Sequence, residues 1–171
     1  CTLGEKLYEE ARELAGRLSK DGFVVITGGG GGVMQAANHG AFDAGGRSIG
    51  FNIKIQSGQP LNPYTTESLT FHHFFTRKVM LAYASEVYIF FPGGFGTLDE
   101  LMEMLTLIQT KKIKRVPVVL VGKEFWTPFL ELIRSSLYEK HRTIDKEDME
   151  LYHLVDLPDE AYSHIKRAVK R

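Results

Sequence analysis

Two glycine-rich turns contain the residue types that bind phosphate. The first is an unbroken run of five glycines at residues 28–32, which follows an apolar segment at 23–27 and precedes a helical pattern from Val33. The second, Pro-Gly-Gly-Phe-Gly-Thr at 92–97, follows the apolar segment 87–91. Glycine lets backbone N–H groups approach an anion, and a helix N-terminus carries about half a positive charge. The two turns therefore predict a nucleotide or another phosphorylated small molecule as the ligand.

The first turn does not carry the usual nucleotide fingerprints. It contains G-x-G-x-x-G only because every position is glycine, and Asn52 and Lys54 stand where a ribose-binding acid would end the next strand. No Gly-Lys-Ser/Thr follows either, so NAD-type and P-loop ATP sites are disfavoured. The plain alternative for this run is a flexible tight turn without a ligand.

The residues that could act on a phosphorylated ligand also have structural explanations. Thr97 and Glu100 have the spacing of a capping box, in which Thr97 is the N-cap and Glu100 the N3 residue. Such a box alone would stabilise the helix by about 1 kcal/mol. Asp99 would then interact with the helix dipole. Arg77, taken by itself, is typical of a solvated charge on a helix. Chemistry at Glu100 or Arg77 therefore needs a further argument.

Apolar segments and helical patterns alternate along the whole chain. Strands are predicted at 23–27, 48–53, 67–73, 87–91, 116–121 and 152–155, with helices at 3–18, 33–44, 75–85, 97–110, 125–138 and after Pro158. Parallel β-α-β units follow from this order. We expect an α/β fold: one doubly wound, Rossmann-like parallel sheet with helices on both faces, forming a single domain over residues 1–171. Because the chain begins with Cys1 and a helix, we also expect a strand before residue 1.

The predicted helix at 97–110 is apolar over much of its circumference. Its main stripe is predicted to contain Leu98, Leu101, Met102, Leu105 and Ile108, with Met104 and Leu107 partly outside it. Such a helix is buried on more than one side, against the sheet or a second chain.

The composition narrows the possible partners. The formal net charge is zero, with 21 basic and 21 acidic side chains, which disfavours nucleic acid and anionic membranes as partners. No segment approaches about 18 consecutive apolar residues, so a membrane span is not expected. The one cysteine supports neither an internal disulfide nor a zinc motif, and a cytoplasmic setting is the simplest interpretation.

The segment Pro-Gly-Gly-Phe-Gly-Thr-Leu-Asp-Glu at 92–100 resembles the PGGxGTxxE motif of the Lonely Guy (LOG) family of phosphoribohydrolases, long mislabelled lysine decarboxylases. The glycine turn up to Met34 resembles that family's GGGxxGxM turn, and Thr76-Arg77-Lys78-Val79-Met80 resembles its RKxxM helix. Segments 50–53, 62–64 and 74–78 resemble the bacterial long-form branch. Two positions depart from the family pattern: Gly31 stands where relatives often have Pro, and Gln35 where they often have Glu. The second departure leaves a ribose or base contact open.

The resemblance implies hydrolysis of the N-glycosidic bond of an AMP-like or cytokinin-type nucleoside 5′-monophosphate. Glu100 would act on the ribose cation and the attacking water, and Arg77 would stabilise charge on the phosphate or the departing base. Neither a metal nor another cofactor is implied. The phosphate would be bound by Gly93, Gly94, Gly96, Thr97, Gly29 and Gly30. Further substrate contacts are expected from Lys78, Met34 and His73. The resemblance also implies a homodimer or a larger homo-oligomer.

One alternative stays open. The same fold serves proteins that bind or carry a nucleotide or a phosphorylated cofactor without catalysis. A pyridoxal-phosphate decarboxylase is disfavoured, because phosphate turns alone do not make that site and no lysine stands out as a Schiff-base former. The sequence does not determine the base or the pathway, although the polar loop 54–66 is expected to contribute to specificity.

Overall fold

The computed structural model describes residues 3–54 and 60–169. Strands and helices alternate along these residues. The elements are α1 (Leu3–Lys20), β1 (Val25–Thr27), α2 (Val33–Asp43), β2 (Ser48–Ile53), β3 (Glu67–Phe71), α3 (Phe74–Ala84), β4 (Tyr88–Phe90), α4 (Phe95–Gln109), β5 (Val118–Val121), α5 (Lys123–Leu132), β6 (His153–Val155) and α6 (Pro158–Ala168). A π-helical stretch, Ile133–Lys140, continues α5, and a 3₁₀ helix, Lys146–Glu150, precedes β6. The chain divides into two compact units, Cys1–Ser85 and Glu86–Arg171.

In the first unit, β2 is the central strand of a parallel sheet ordered β1-β2-β3. Val25 lies opposite Ser48 in one ladder, and Ile49 lies opposite Glu67 in the other. Ser48 and Gly50 are buried on one face of β2, and Phe51 and Ile53 are buried on the other, as expected for a strand covered on both faces. The carboxyl end of β1 leads directly into the first glycine turn.

Helices α1 and α2 pack closely because glycines meet at their crossing. A β-carbon placed on Gly40 would overlap the carbonyl oxygen of Arg12, and one on Gly16 would lie 3.1 Å from the carbonyl oxygen of Gly40. Leu14 of α1 and Ala36 of α2 are buried in the same unit. The lack of a side chain at Gly16 and Gly40 therefore allows the short distance between these helices. Helix α2 in turn fixes the position of the first glycine turn, which lies at its N-terminus.

In the second unit, β5 is the central strand of a parallel sheet ordered β4-β5-β6. All four of its residues are buried, and its ladders pair Tyr88 with Val118 and Val119 with His153. Trp126 of α5 is fully buried in the same unit. The carboxyl end of β4 leads into the second glycine turn.

The predicted α/β fold with parallel strands is confirmed. That both units form one domain stays a prediction, and so does a strand before residue 1. The main differences are at element ends: β1 begins at Val25 rather than residue 23, and β4 covers only Tyr88–Phe90. No helix within the described residues is both long enough and apolar enough to cross a bilayer.

The predicted buried stripe of α4 is wrong in two positions. Leu101, Met104 and Ile108 are the buried residues of this helix, whereas Met102 is exposed. Residues 101, 104 and 108 follow helical spacing, so the buried stripe includes Met104 and excludes Met102. Because α4 is apolar over so much of its circumference, the pattern alone did not identify which side is covered.

Candidate functional site

The first glycine turn needs glycine at two positions. Gly29 has a φ of 73° and Gly32 has a φ of 66°, in the left-handed region that other residues seldom adopt. Gly32 is also the N-cap residue of α2, and no side chain caps that helix. The backbone N–H groups that begin α2 are therefore not satisfied by a capping side chain, which is the arrangement that phosphate sites use.

The carbonyl groups of this turn are held by the loop that follows β2. The backbone N–H of Asn62 donates to the carbonyl oxygen of Gly29 at 2.8 Å, and its side-chain amide donates to that of Gly30 at 3.1 Å. The N–H of Gly29 donates to the hydroxyl of Thr27 at 2.9 Å. Gly29 would therefore contribute to a phosphate site by allowing close approach, while its N–H holds the turn.

Arg77 reaches the first glycine turn. A β-carbon placed on Gly28 would lie 3.6 Å from Nη1 of Arg77 and 2.8 Å from the sulfur of Met34. The guanidinium carbon lies 5.3 Å from the centre of the Phe74 ring. The structure thus brings Arg77 to two residues that lie more than 40 positions earlier in the chain, and it places a permanent cation beside bare glycine backbone.

The other predicted contacts of the first unit lie on α3. His73 is the N-cap residue of this helix and is exposed, and its carbonyl oxygen accepts a hydrogen bond from the N–H of Arg77 at 3.4 Å. Lys78 is half-buried next to Arg77 in the chain. Their predicted contacts with substrate stay predictions.

The second glycine turn is closed by Thr97. A β-carbon on Gly93 would overlap the Thr97 hydroxyl and lie 2.9 Å from its β-carbon, so only glycine lets this side chain fold back over the turn. On the other side, Pro92 lies against Gly122, which has a φ of 101° and follows β5 directly. The turn therefore lies where β4 and β5 both end, the usual ligand edge of a parallel sheet.

The predicted capping box of Thr97 and Glu100 is wrong. Helix α4 begins at Phe95, its N-cap is Gly94 in an extended conformation, and no side chain caps it. Thr97 is thus the third residue of the helix and Glu100 the sixth, beyond the positions that cap backbone N–H groups. Helix capping therefore does not explain the carboxylate at position 100. Glu100 is half-buried and belongs to the second unit, whereas Arg77 belongs to the first.

Sequence reasoning missed two asparagines that support the first turn. Asn38 and Asn62 are both buried, at 0% and 5% exposure, and the amide of Asn62 donates to Oδ1 of Asn38 at 2.9 Å. From the sequence, Asn62 belongs to a segment that resembles the bacterial branch and to the polar loop 54–66, and no contact with the glycine turn is predicted for it. For Asn38 the available signal was an asparagine, a poor helix former, inside the predicted helix 33–44.

Sequence comparison identifies related proteins. A model of the family described as "Possible lysine decarboxylase" matches residues 34–165. The cytokinin riboside 5′-monophosphate phosphoribohydrolase LOG of Oryza sativa subsp. japonica is 33% identical over 140 residues, covering 77% of this chain and 56% of that protein. The cytokinin riboside 5′-monophosphate phosphoribohydrolase of Rhodococcoides fascians is 28% identical over 110 residues, covering 63% and 56%. The chain thus spans a little over half the length of these two relatives.

Solved structures share the fold. The molybdenum cofactor carrier protein MCP of Chlamydomonas reinhardtii has a TM-score of 0.74 at 24% identity, covering 98% of this chain and 90% of that one. The molybdenum cofactor binding protein of Rippkaea orientalis has a TM-score of 0.72 at 22% identity, covering 98% and 89%. These identities establish the fold alone. The family model, in contrast, spans most of the residues, and the chain therefore belongs to the possible lysine decarboxylase family, the LOG family that its motifs resemble.

Proposed function

We propose that the protein hydrolyses the N-glycosidic bond of an AMP-like nucleoside 5′-monophosphate, releasing the free base and ribose 5-phosphate. The observation that carries the proposal is Arg77, whose guanidinium lies beside Gly28 of the first glycine turn in a chain with a Pro-Gly-Gly-x-Gly-Thr turn. A fixed cation next to glycine peptide groups suits an anionic substrate. The relatives' names support the same reaction class.

The reaction requires a carboxylate near the anomeric carbon. The C1′–N bond breaks, its electron pair leaves with the base, and positive charge develops on the ribose. Glu100 would stabilise this charge and accept a proton from the water whose oxygen bonds to C1′. The departing base takes up a proton from solvent, and Glu100 then releases its proton to solvent, so that no net proton is gained or lost. The start of α4 at Phe95 supports this role, since Glu100 is not used as a capping residue.

Each glycine turn is proposed to bind phosphate within its own unit. Both precede helix N-termini without side-chain caps, and Thr97 adds a hydroxyl at the second turn. Gly93, Gly94 and Gly96 would supply peptide N–H groups there. At the first turn Gly30 would supply its N–H, and Gly29 would allow the phosphate to approach closely. Met34, whose sulfur lies beside Gly28, would contact the ribose or base.

The test is a product assay. AMP and adenosine are incubated separately with the protein, and free adenine and ribose 5-phosphate are quantified. We expect equal amounts of both products from AMP and at least 100-fold slower cleavage of adenosine, since adenosine lacks the group that the turns bind. No adenine from AMP or from a panel of other nucleoside monophosphates would contradict the proposal.

The second candidate function is binding or carriage of a phosphorylated cofactor. It is favoured by the two solved structures of molybdenum cofactor proteins, each covering 98% of this chain. A carrier needs the glycine turns but not a carboxylate at position 100. Saturable binding of AMP with no base released over hours would favour this candidate over the hydrolase.

A further inference from the structure

A polar cluster lies behind the first glycine turn. It consists of Thr27 at the end of β1, Asn38 in α2, Ser48 in β2 and Asn62 in the loop after β2. Oδ1 of Asn38 accepts hydrogen bonds from the Thr27 hydroxyl at 2.5 Å and from the Asn62 amide at 2.9 Å. The cluster therefore joins four segments of the first unit at one side-chain amide.

The orientation of the Asn38 amide follows from its neighbours. Its nitrogen donates to the Ser48 hydroxyl at 2.8 Å and to the carbonyl oxygen of Ile49 at 3.4 Å. The Ser48 hydroxyl in turn donates to the backbone carbonyl of Asn38 at 3.1 Å. Turning the amide over would place its oxygen against the Ile49 carbonyl, so only one arrangement satisfies every donor and acceptor.

The cluster determines which way the turn's peptide groups face. The Gly29 and Gly30 carbonyls both point to Asn62, which donates to them through its backbone and its side chain. In a trans peptide, the N–H of the following residue points the opposite way, and no described peptide bond is cis. The N–H groups of Gly30 and Gly31 must therefore point away from Asn62.

We propose that Thr27, Asn38 and Asn62 are positioning residues that hold the first glycine turn in its anion-binding form. Thr27 and Asn62 touch the turn, and Asn38 holds these two side chains. Five glycines without such restraints would lose much conformational entropy on binding a phosphate. Because the cluster removes that cost before the ligand arrives, its effect is expected on phosphate affinity. The inference rests on the proposed function only in taking the ligand to be a nucleoside 5′-monophosphate.

The experiment compares AMP with adenosine in matched variants. Thr27→Val and Asn62→Ala remove one hydroxyl and one amide from the cluster, while Thr27→Ser keeps the hydroxyl. The control is Thr66→Val: the Thr66 hydroxyl exchanges hydrogen bonds of 3.0 Å with the backbone of Ser48 and lies in the same loop as Asn62. The dissociation constants for AMP, adenosine and inorganic phosphate are measured by calorimetry, and the fold is checked by near-UV circular dichroism.

We expect Thr27→Val and Asn62→Ala to weaken AMP binding at least tenfold while changing adenosine binding by less than twofold. Thr27→Ser should restore AMP affinity, and Thr66→Val should leave it unchanged. Unchanged AMP affinity in both cluster variants, or an equal loss in Thr66→Val, would overturn the proposal. A wild-type protein that binds AMP without cleaving it contradicts the proposed hydrolase but still tests the positioning role. Wild-type protein that binds none of the three ligands overturns both.

Discussion

At the scale of single residues, the two glycine turns depend on positions that carry no side chain. Gly28 lets Arg77 and Met34 approach the backbone, and Gly93 lets Thr97 fold back over the second turn. These are steric requirements at particular atoms, and each can be tested by adding one methyl group.

Gly28→Ala should reduce AMP hydrolysis. Its methyl group would lie 2.8 Å from the Met34 sulfur and 3.6 Å from Nη1 of Arg77, so both side chains must move. Small displacements of positioned groups cost about 10²-fold in rate, and we expect a loss of roughly that size, with little change in stability because the methionine end is flexible. Gly31→Ala is the matched control, since a β-carbon there meets nothing within 4 Å. Equal activities of the two variants would contradict the role assigned to Gly28.

At the scale of elements, the crossing of α1 and α2 sets the position of the first turn. Gly40→Ala should destabilise the protein by about 1–3 kcal/mol, because its methyl group would overlap the Arg12 carbonyl oxygen and the helices would have to separate. Gly4→Ala, on α1 with open space around it, should instead be neutral or stabilising by up to about 1 kcal/mol. Urea denaturation measures both. Similar midpoints for the two variants would show that the crossing tolerates a side chain.

The packing of β6 against α6 predicts a pH dependence. The rings of His153 and His164 are stacked, 3.8 Å apart between centroids. Burial lowers the pKa of His164, with contributions from His153 and Arg167, below its ordinary value of about 6.5. At pH values between the folded and unfolded pKa, His164 therefore binds a proton in the unfolded chain but not in the folded chain. The contribution of His164 to the free energy of unfolding is complete above the pKa of the unfolded state. It decreases as the pH falls below that value towards the pKa of the folded state.

The measurement is the denaturation midpoint between pH 7.5 and pH 5. We expect wild type to lose more stability on acidification than His164→Gln does. His141→Gln, at an exposed position in the same unit, is the control and should follow wild type. A slope that His164→Gln leaves unchanged would assign the pH dependence to other groups.

At the scale of the whole molecule, the exposed aromatic side chains of α3 predict self-association. Phe75 is 77% exposed and Tyr83 is 67% exposed, with Phe74, Val79 and Met80 also exposed on the same helix. Apolar surface of this kind favours an interface. Light scattering should give twice the 19.3 kDa mass of one chain or more, and Phe75→Asp should lower it. Leu132→Asp, an exposed leucine on α5, should not. A monomeric wild type would contradict the predicted homo-oligomer.

The sequence predicted elements better than junctions. Buried β5 and amphipathic α1 have unambiguous patterns, and both lie where expected. The start of α4 was wrong because Thr97 and Glu100 have capping-box spacing, whereas Gly94 begins the helix and Thr97 packs over Gly93. Asn62 was missed because its side-chain partners are 24 and 32 residues away, which no local pattern reveals. Arg77 was found through a motif, and its place beside Gly28 comes from the fold.

The central claim is that Glu100 performs chemistry rather than holding a helix end. Single-turnover release of adenine from AMP should be compared in wild type, Glu100→Gln and Asp99→Asn, the last being an exposed neighbouring acid in the same helical turn. We predict a fall of about 10²- to 10⁴-fold for Glu100→Gln, with AMP still bound, and near wild-type rates for Asp99→Asn. Wild-type rates in Glu100→Gln would contradict the account.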